Sequence, residues 1–223
     1  MGGIILLVAY NLIDVYHISA ILKTSAEESV VMVVTFLATL FLELEFAIYA
    51  GVLLSLILYL NRTAHPRIVN LVPNHDAMDS PLIESEKECP KLKIIRIDGP
   101  LFFGSVNHVS DYLHNIDKRS TKKRNVLIVG SGINLIDIAG AQMLSDEAHR
   151  RRSQRGNLYL CDITPDAHRI LKRGRYLDVI GKDHLFSSAD EAVASIALHV
   201  ENVMCKDCGG PPYKQCILTT NRH

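Results

Sequence analysis

Residues 124–156 read RNVLIVGSGINLIDIAGAQMLSDEAHRRRSQRG. The run Asn125–Val129 is short, apolar and β-branched, the pattern of a buried strand. Gly130-Ser131-Gly132 turns the chain. Asp137 then precedes a helix that ends on Arg150, Arg151 and Arg152, with Gly156 as its stop. Basic residues in the last turn and a glycine after it suit the helix dipole and its termination. Such a strand–loop–helix can cradle a nucleotide or can simply connect two elements of a sheet protein.

The glycines decide between these. A dinucleotide loop needs G-x-G-x-x-G so that the backbone can approach a pyrophosphate. Gly130 and Gly132 fit the first two positions, but Leu135 occupies the third. Asp162 ends the next strand and lies too far on to bind a ribose in the usual way. The Gly-Lys-Ser/Thr of a P-loop is absent. Gly130 and Gly132 therefore read as a tight turn, and Asp137 as the cap that takes up free N–H groups of a helix starting at Ile138.

Working outward, KLKIIRIDGPLFF alternates and is broken at Gly99-Pro100, which predicts two short strands. Val106, Val109, Leu113 and Ile116 lie at helical spacing, with Ser105 as the candidate N-cap. NLYLCDI predicts a strand, and TPDAHRILKRG a helix with Thr164 at N-cap, Pro165 at N1 and Gly174 at its end. HLFSSADEAVASIALHVENVM predicts a short strand and a final helix capped by serine. Strands alternating with helices imply an α/β sheet covered by helices.

The first 60 residues differ. Long runs of Leu, Ile and Val form three apolar blocks, at 2–13, 30–42 and 46–60. The last two are each shorter than the ~20 residues of a full span. Glu43 and Glu45 lie between them, so two short helices meeting at that acidic junction are expected. Arg62 and Arg67 flank the exit and point it to the cytoplasm by the positive-inside rule. Residues 68–90, with Pro73, Pro81 and Pro90, read as a polar connector. The start lacks the basic leader of a signal peptide, and Leu6 breaks the myristoylation pattern. It has the look of a chain beginning inside a membrane helix.

The formal net charge is zero, which gives no argument for nucleic acid. The five cysteines, Cys89, Cys161, Cys205, Cys208 and Cys216, form no disulfide framework, in keeping with a reducing compartment. Cys205-x-x-Cys208 with Cys216, and His199 or His223, has partial zinc spacing but reads as incidental. Arg150, Arg151, Arg152 and Arg155 read as a solvated helix end, or as a contact for anionic lipid. With no nucleophile–base pair and no complete phosphate loop, no catalytic residue, cofactor or metal site is expected.

The segment NVLIVGSGINLIDIAGAQML resembles the central loop of the STAS domain, whose Asp-x-x-Gly pattern falls on Asp137-Ile138-Ala139-Gly140. RRSQRGNLYLCDITPDAHRILKRGRYLDVIG follows in register. Independently, LIDVYHISAILK and VTFLATLFLELEFAIYAGVLLSLILYLNRTAHP resemble the end of a SulP-type anion permease. The resemblance implies an α-helical membrane segment (1–67), a linker (68–90), a STAS domain (91–203) with a mixed central sheet and covering helices, and a polar tail (204–223). It also implies the C-terminal part of a sulfate-type secondary transporter rather than an enzyme. The alternative is a membrane-tethered STAS regulator acting by protein contact. The anion-site helices of such permeases are absent from these residues, so no substrate-binding residue is expected.

The implied site is the loop and helix cap at Gly130, Gly132, Asp137 and Gly140. STAS-type anti-sigma antagonists carry a phosphorylatable serine just after the aspartate. Ile138 and Ala139 stand there instead, so no phosphoserine switch is expected. The implied partners are the lipid bilayer, the remainder of a SulP-type permease or a homodimer mate, and a cytoplasmic regulatory protein, with no nucleic acid. The implied location is multi-pass in the plasma (inner) membrane, with the STAS domain cytoplasmic.

Overall fold

Asp14 opens the first helix by accepting the His17 N–H on Oδ1 at 3.1 Å, and α1 runs Val15–Thr24. Ser25, in extended conformation, accepts the Glu28 N–H on Oγ at 3.3 Å and starts α2, Ala26–Phe41. Glu27 and Glu28 lie in its first turn, where the dipole favours acids. The helix ends at extended Leu42, and α3 spans Leu44–Thr63. The break therefore falls at Leu42–Glu43, between the two apolar blocks as the sequence suggests, with Glu45 in the first turn of α3.

This computed structural model describes residues 14–73, 82–84, 92–119 and 125–199. They fall in two compact units, Met1–Arg62 and Thr63–His223. Within the first unit α3 is apolar on nearly every face, and only Ala47 and Gly51 are buried. A Cβ on Gly51 would come within 2.6 Å of Thr35 Oγ1; small residues let membrane helices approach this closely. Against the short helix expected of residues 46–60, α3 has 20 residues, because Leu44–Glu45 and Asn61–Thr63 extend it at both ends, and by length and composition it is long and apolar enough to cross a membrane. Helix α2, at 16 residues, is shorter than a lone span requires.

The second unit is built on a six-stranded sheet in the order β2-β1-β3-β4-β5-β6. Its strands are β1 Arg67–Pro73, β2 Leu82–Glu84, β3 Leu92–Asp98, β4 Asn125–Val129, β5 Leu158–Cys161 and β6 Leu185–Phe186. β1 runs antiparallel to both β2 and β3, and β3 to β6 run parallel. The helices are α4 Val106–Arg119, α5 Ile138–Ser153, α6 Pro165–Arg173, α7 Tyr176–Ile180 and α8 Ala189–His199.

Alternation along the strands divides the core. Ile95, Ile97, Val126, Ile128, Leu158 and Leu160 pack on the side of α4, α5, α6 and α7. Ile94, Leu127, Val129, Tyr159 and Cys161 pack with Ala189, Ala192, Val193 and Ile196 of α8. The helix starts follow the sequence: Thr164 Oγ1 accepts the Ala167 N–H at 3.3 Å, with Pro165 at the first position. Ser188 Oγ accepts the Glu191 N–H at 3.2 Å.

Three further expectations change. The connector read over 68–90 is partly sheet: Arg67–Pro73 pairs with β3 from Arg67↔Asp98 to Leu71↔Ile94, because Ile68-Val69 and Leu71-Val72 supply β-branched and apolar positions before Pro73. KLKIIRIDGPLFF forms one strand, not two; past Pro100 only Leu101 bridges, to Ile136. The reason is Ser105. Its hydroxyl accepts the Phe102 N–H at 3.0 Å and reaches the Pro100 and Phe102 carbonyls at 2.9 and 3.1 Å, closing a turn. Ser105 is thus a turn-closing residue more than a helix cap.

The arginine-rich end of α5 is the third. Arg151 is fully buried, donating from Nε to Glu147 Oε1 at 2.6 Å and from Nη2 to Leu113 O at 3.1 Å. Arg150 holds the same carboxylate at 2.7 and 2.8 Å. Arg152 donates to the carbonyls of Val179 and Ile180 at the end of α7. Arg155 is left-handed at φ 60°, and the Arg155 and Gly156 N–H groups return to Arg152 O and Arg151 O at 3.0 and 2.9 Å, the two bonds of a Schellman cap. Three of the four guanidiniums therefore bond within the domain, but only Arg151 is fully buried; Arg150 is half-buried, and Arg152 and Arg155 remain exposed.

Removing one partner of a buried pair leaves an uncompensated charge. Arg151→Met should cost about 3–5 kcal/mol in urea denaturation. The double variant Glu147→Leu/Arg151→Met should cost clearly less, since neither charge is stranded; equal losses would mean that the side chain acts by packing alone.

Candidate functional site

The loop from Gly130 to Asp137 joins β4 to α5 and is laid against the turn after β3. Gly130 donates its N–H to Cys161 O at 2.8 Å, and Ile133 returns to Gly130 O at 3.0 Å. Gly99 donates to Gly132 O at 3.0 Å, Leu101 to Leu135 O at 2.8 Å, and Asp137 to Leu101 O at 3.1 Å. The two segments are stitched together backbone to backbone.

The site glycines follow from this closeness. A Cβ on Gly140 would stand 2.3 Å from Leu101 O, and one on Gly132 2.5 Å from Ile97 O and 2.3 Å from Asp98 Oδ1. Gly130 faces Ile163, whose Cγ2 would be 2.7 Å away. Asp137 completes the arrangement. Its Oδ1 accepts the Gly140 N–H at 2.8 Å and its Oδ2 accepts the Phe103 N–H at 3.0 Å. One carboxylate caps α5 and also fixes the turn that carries Phe103.

A helix N-terminus with glycines before it can hold a phosphate. Here the protein's own carboxylate already takes one N–H of that helix end, Gly140, together with the Phe103 N–H of the neighbouring turn. The four residues named from sequence are thus brought together, in a structural role. Around them Phe103, Leu135 and Ile138 are 73, 56 and 73% exposed. This apolar rim was not foreseen. Its signal was the apolar Ile138 at the first position of a helix and the Phe102-Phe103 pair after Gly99-Pro100.

Beyond the loop, burial and then the neighbouring Asp162 push the Cys161 thiol up to about 12, so it is inert as a nucleophile or ligand. Asp162, left-handed at φ 52°, is raised by burial and pulled back by the Ala189 N–H. Burial also raises the Tyr159 phenol. His184 is lowered, first by burial and then by the Arg152 charge. Among the described residues no group of three or more His, Cys, Asp or Glu could hold a metal. Cys89, Cys205, Cys208, Cys216 and His223 lie outside the described residues.

Residues 83–192 match the STAS domain profile, and this part of the chain belongs to the STAS domain family. Over most of its length the chain is similar to sulfate transporters of the SulP/SLC26 kind. It is 22% identical over 192 residues to YvdB of Bacillus subtilis (strain 168), named as a sulfate transporter, covering 86% of this chain and 34% of that protein. It is 30% identical over 112 residues to prestin of Homo sapiens, covering 49% of this chain and 14% of prestin. It is similar to the structure of the murine Solute Carrier 26 family member A9 anion transporter, with a TM-score of 0.69 and 18% identity, covering 82% of this chain and 30% of that one. The chain spans about one third of the length of the sulfate transporter it matches.

If Asp137 serves as a cap, its loss acts on folding. Asp137→Ala should lower the stability of the 63–223 unit by about 0.5–2 kcal/mol, and Asp137→Asn by less. Saturating ATP, GTP or NAD should leave its melting temperature unmoved. A saturable nucleotide shift with a near-neutral Asp137→Ala would restore a ligand role for the loop.

Proposed function

We propose that the chain acts as the C-terminal part of a secondary active inorganic anion transporter of sulfate type, with its STAS domain in a regulatory or assembly role. The observation that carries this is the order of parts. A helix of membrane length, Leu44–Thr63, leads within residues 64–66 into the first strand of a STAS sheet, and the similarity to a sulfate transporter runs through 86% of the chain. The STAS domain lies in the cytoplasm on this reading, supported by Arg62, Arg67 and five cysteines that form no disulfide framework.

A second reading, a membrane-tethered STAS module that works by protein contact without transport, is favoured by the exposed rim of Phe103, Leu135 and Ile138. On the first reading the loop serves the fold of the STAS domain, and on the second its exposed rim also meets another protein; neither reading asks chemistry of it. The relatives found are transporters and a STAS domain, not enzymes.

Proteoliposomes holding this chain alone should show no labelled-sulfate uptake above empty vesicles, because the helices expected to carry an anion site are not among these residues. Measurable uptake would overturn the division of labour proposed. Protease added to intact cells should leave residues 91–203 uncut; digestion from outside would reverse the orientation.

A further inference from the structure

His184 is a half-buried titratable group that neither reading of the function uses. It ends the short 3-10 turn Lys182–His184, immediately before edge strand β6. Its ring lies 4.6 Å from that of Tyr159, centroid to centroid. Nδ1 is buried and meets no partner in good hydrogen-bond geometry among the described residues, although the Ile180 and Leu158 carbonyls act on the ring as backbone acceptors. Gly181, at φ +102°, brings the backbone so close that a Cβ there would stand 3.3 Å from Nδ1. Beside it Arg152 reaches over from α5 to the Val179 and Ile180 carbonyls and ties down the end of α7.

The charged and titratable groups around the ring are few. Arg152 faces it from α5, Asp183 and Lys182 share its turn, and the Tyr159 phenol faces it from β5. Asp178 of α7 is engaged with Arg175 at 3.1 Å and Lys182 at 3.9 Å. A proton added to His184 would therefore create a second cation next to Arg152 in a partly desolvated pocket, with Asp183 as the neighbouring acid. The carbonyls of Ile180 and Leu158 favour the proton and only partly offset this.

The segment that holds the ring is also the one least anchored to the sheet. β6 pairs with β5 only through Leu160↔Leu185 and Cys161↔Phe186, and both of its residues are half-buried. Elements with few ladder bonds open locally before the fold as a whole does. We propose that His184 is the release point of an acid-sensitive clasp. A proton taken up by its ring drives the ring off Tyr159 and away from the Arg152 charge and frees α7, the 182–184 turn and β6, while β1, β3 and β4 stay paired.

The sign follows from linkage. A histidine kept neutral in the folded state binds its proton more readily when released. The clasp is closed above the ordinary histidine range, near pH 6.5, and opens as pH falls below it. Opening uncovers the β5 edge, so the device would change what this end of the sheet can pair with.

The test is hydrogen–deuterium exchange on the full chain in detergent micelles at about pH 7.5 and 5.5, corrected for intrinsic exchange. Protection of peptides over 176–186 should fall about tenfold or more at the lower pH, while peptides over 92–98 and 125–129 hold theirs. His184→Gln and His184→Phe, which cannot take the proton, should remove this difference; retained protection over 92–98 and 125–129 shows that each variant is folded. No pH effect in the native chain, an equal loss across all strands, or a loss that survives in whichever variant folds would each overturn the proposal.

Discussion

Two backbone N–H groups meet on one carboxylate, that of Asp137: Gly140, three residues on in its own helix, and Phe103, 34 residues back across the fold. The rest of the STAS unit is arranged around that junction. Helix α5 can begin there only because Gly140 lets it come against the Leu101 carbonyl, and the loop can lie flat only because Gly132 clears Ile97 and Asp98. Leu101 is bound on both sides, donating to Leu135 and accepting from Asp137. These contacts join the end of β3 to the start of α5 and so fix how the helix covers the sheet.

This arrangement has a functional consequence. A loop that looks from sequence like an incomplete phosphate cradle is filled by an internal anion, and its exposed surface is apolar. The charge that a phosphate would satisfy is satisfied already, and Phe103, Leu135 and Ile138 are what the site presents outward. On the proposed reading that surface is the one that meets another protein, in a chain whose α3 precedes the sheet and which is similar to sulfate transporters.

What could be read in advance was local. The cap at Asp137, the Thr164-Pro165 helix start, the buried run Asn125–Val129 and the helix break beside Glu43 all depend on neighbours within a few residues. What escaped was long-range. β1 has a strand-like pattern, but its place depends on pairing with β3, more than 20 residues on, across a Pro-containing stretch. Ser105 turned back on Phe102 instead of forward into its helix. Arg150, Arg151 and Arg152 look alike in sequence, yet the first two share Glu147 and the third caps α7, a difference set by Leu113, Val179 and Ile180 from distant parts of the chain. The apolar rim likewise appears only when the 99–103 turn is laid beside the 130–138 loop.

Asp137 holds two segments at once. Amide hydrogen exchange at single-residue resolution tests it most directly, comparing the native chain with Asp137→Ala. Phe103 and Gly140 should both exchange slowly in the native protein and both become fast in the variant, while Ile95 in β3 stays protected. If Gly140 alone accelerates and Phe103 is unchanged, the carboxylate is an ordinary helix cap and the account of the junction is wrong.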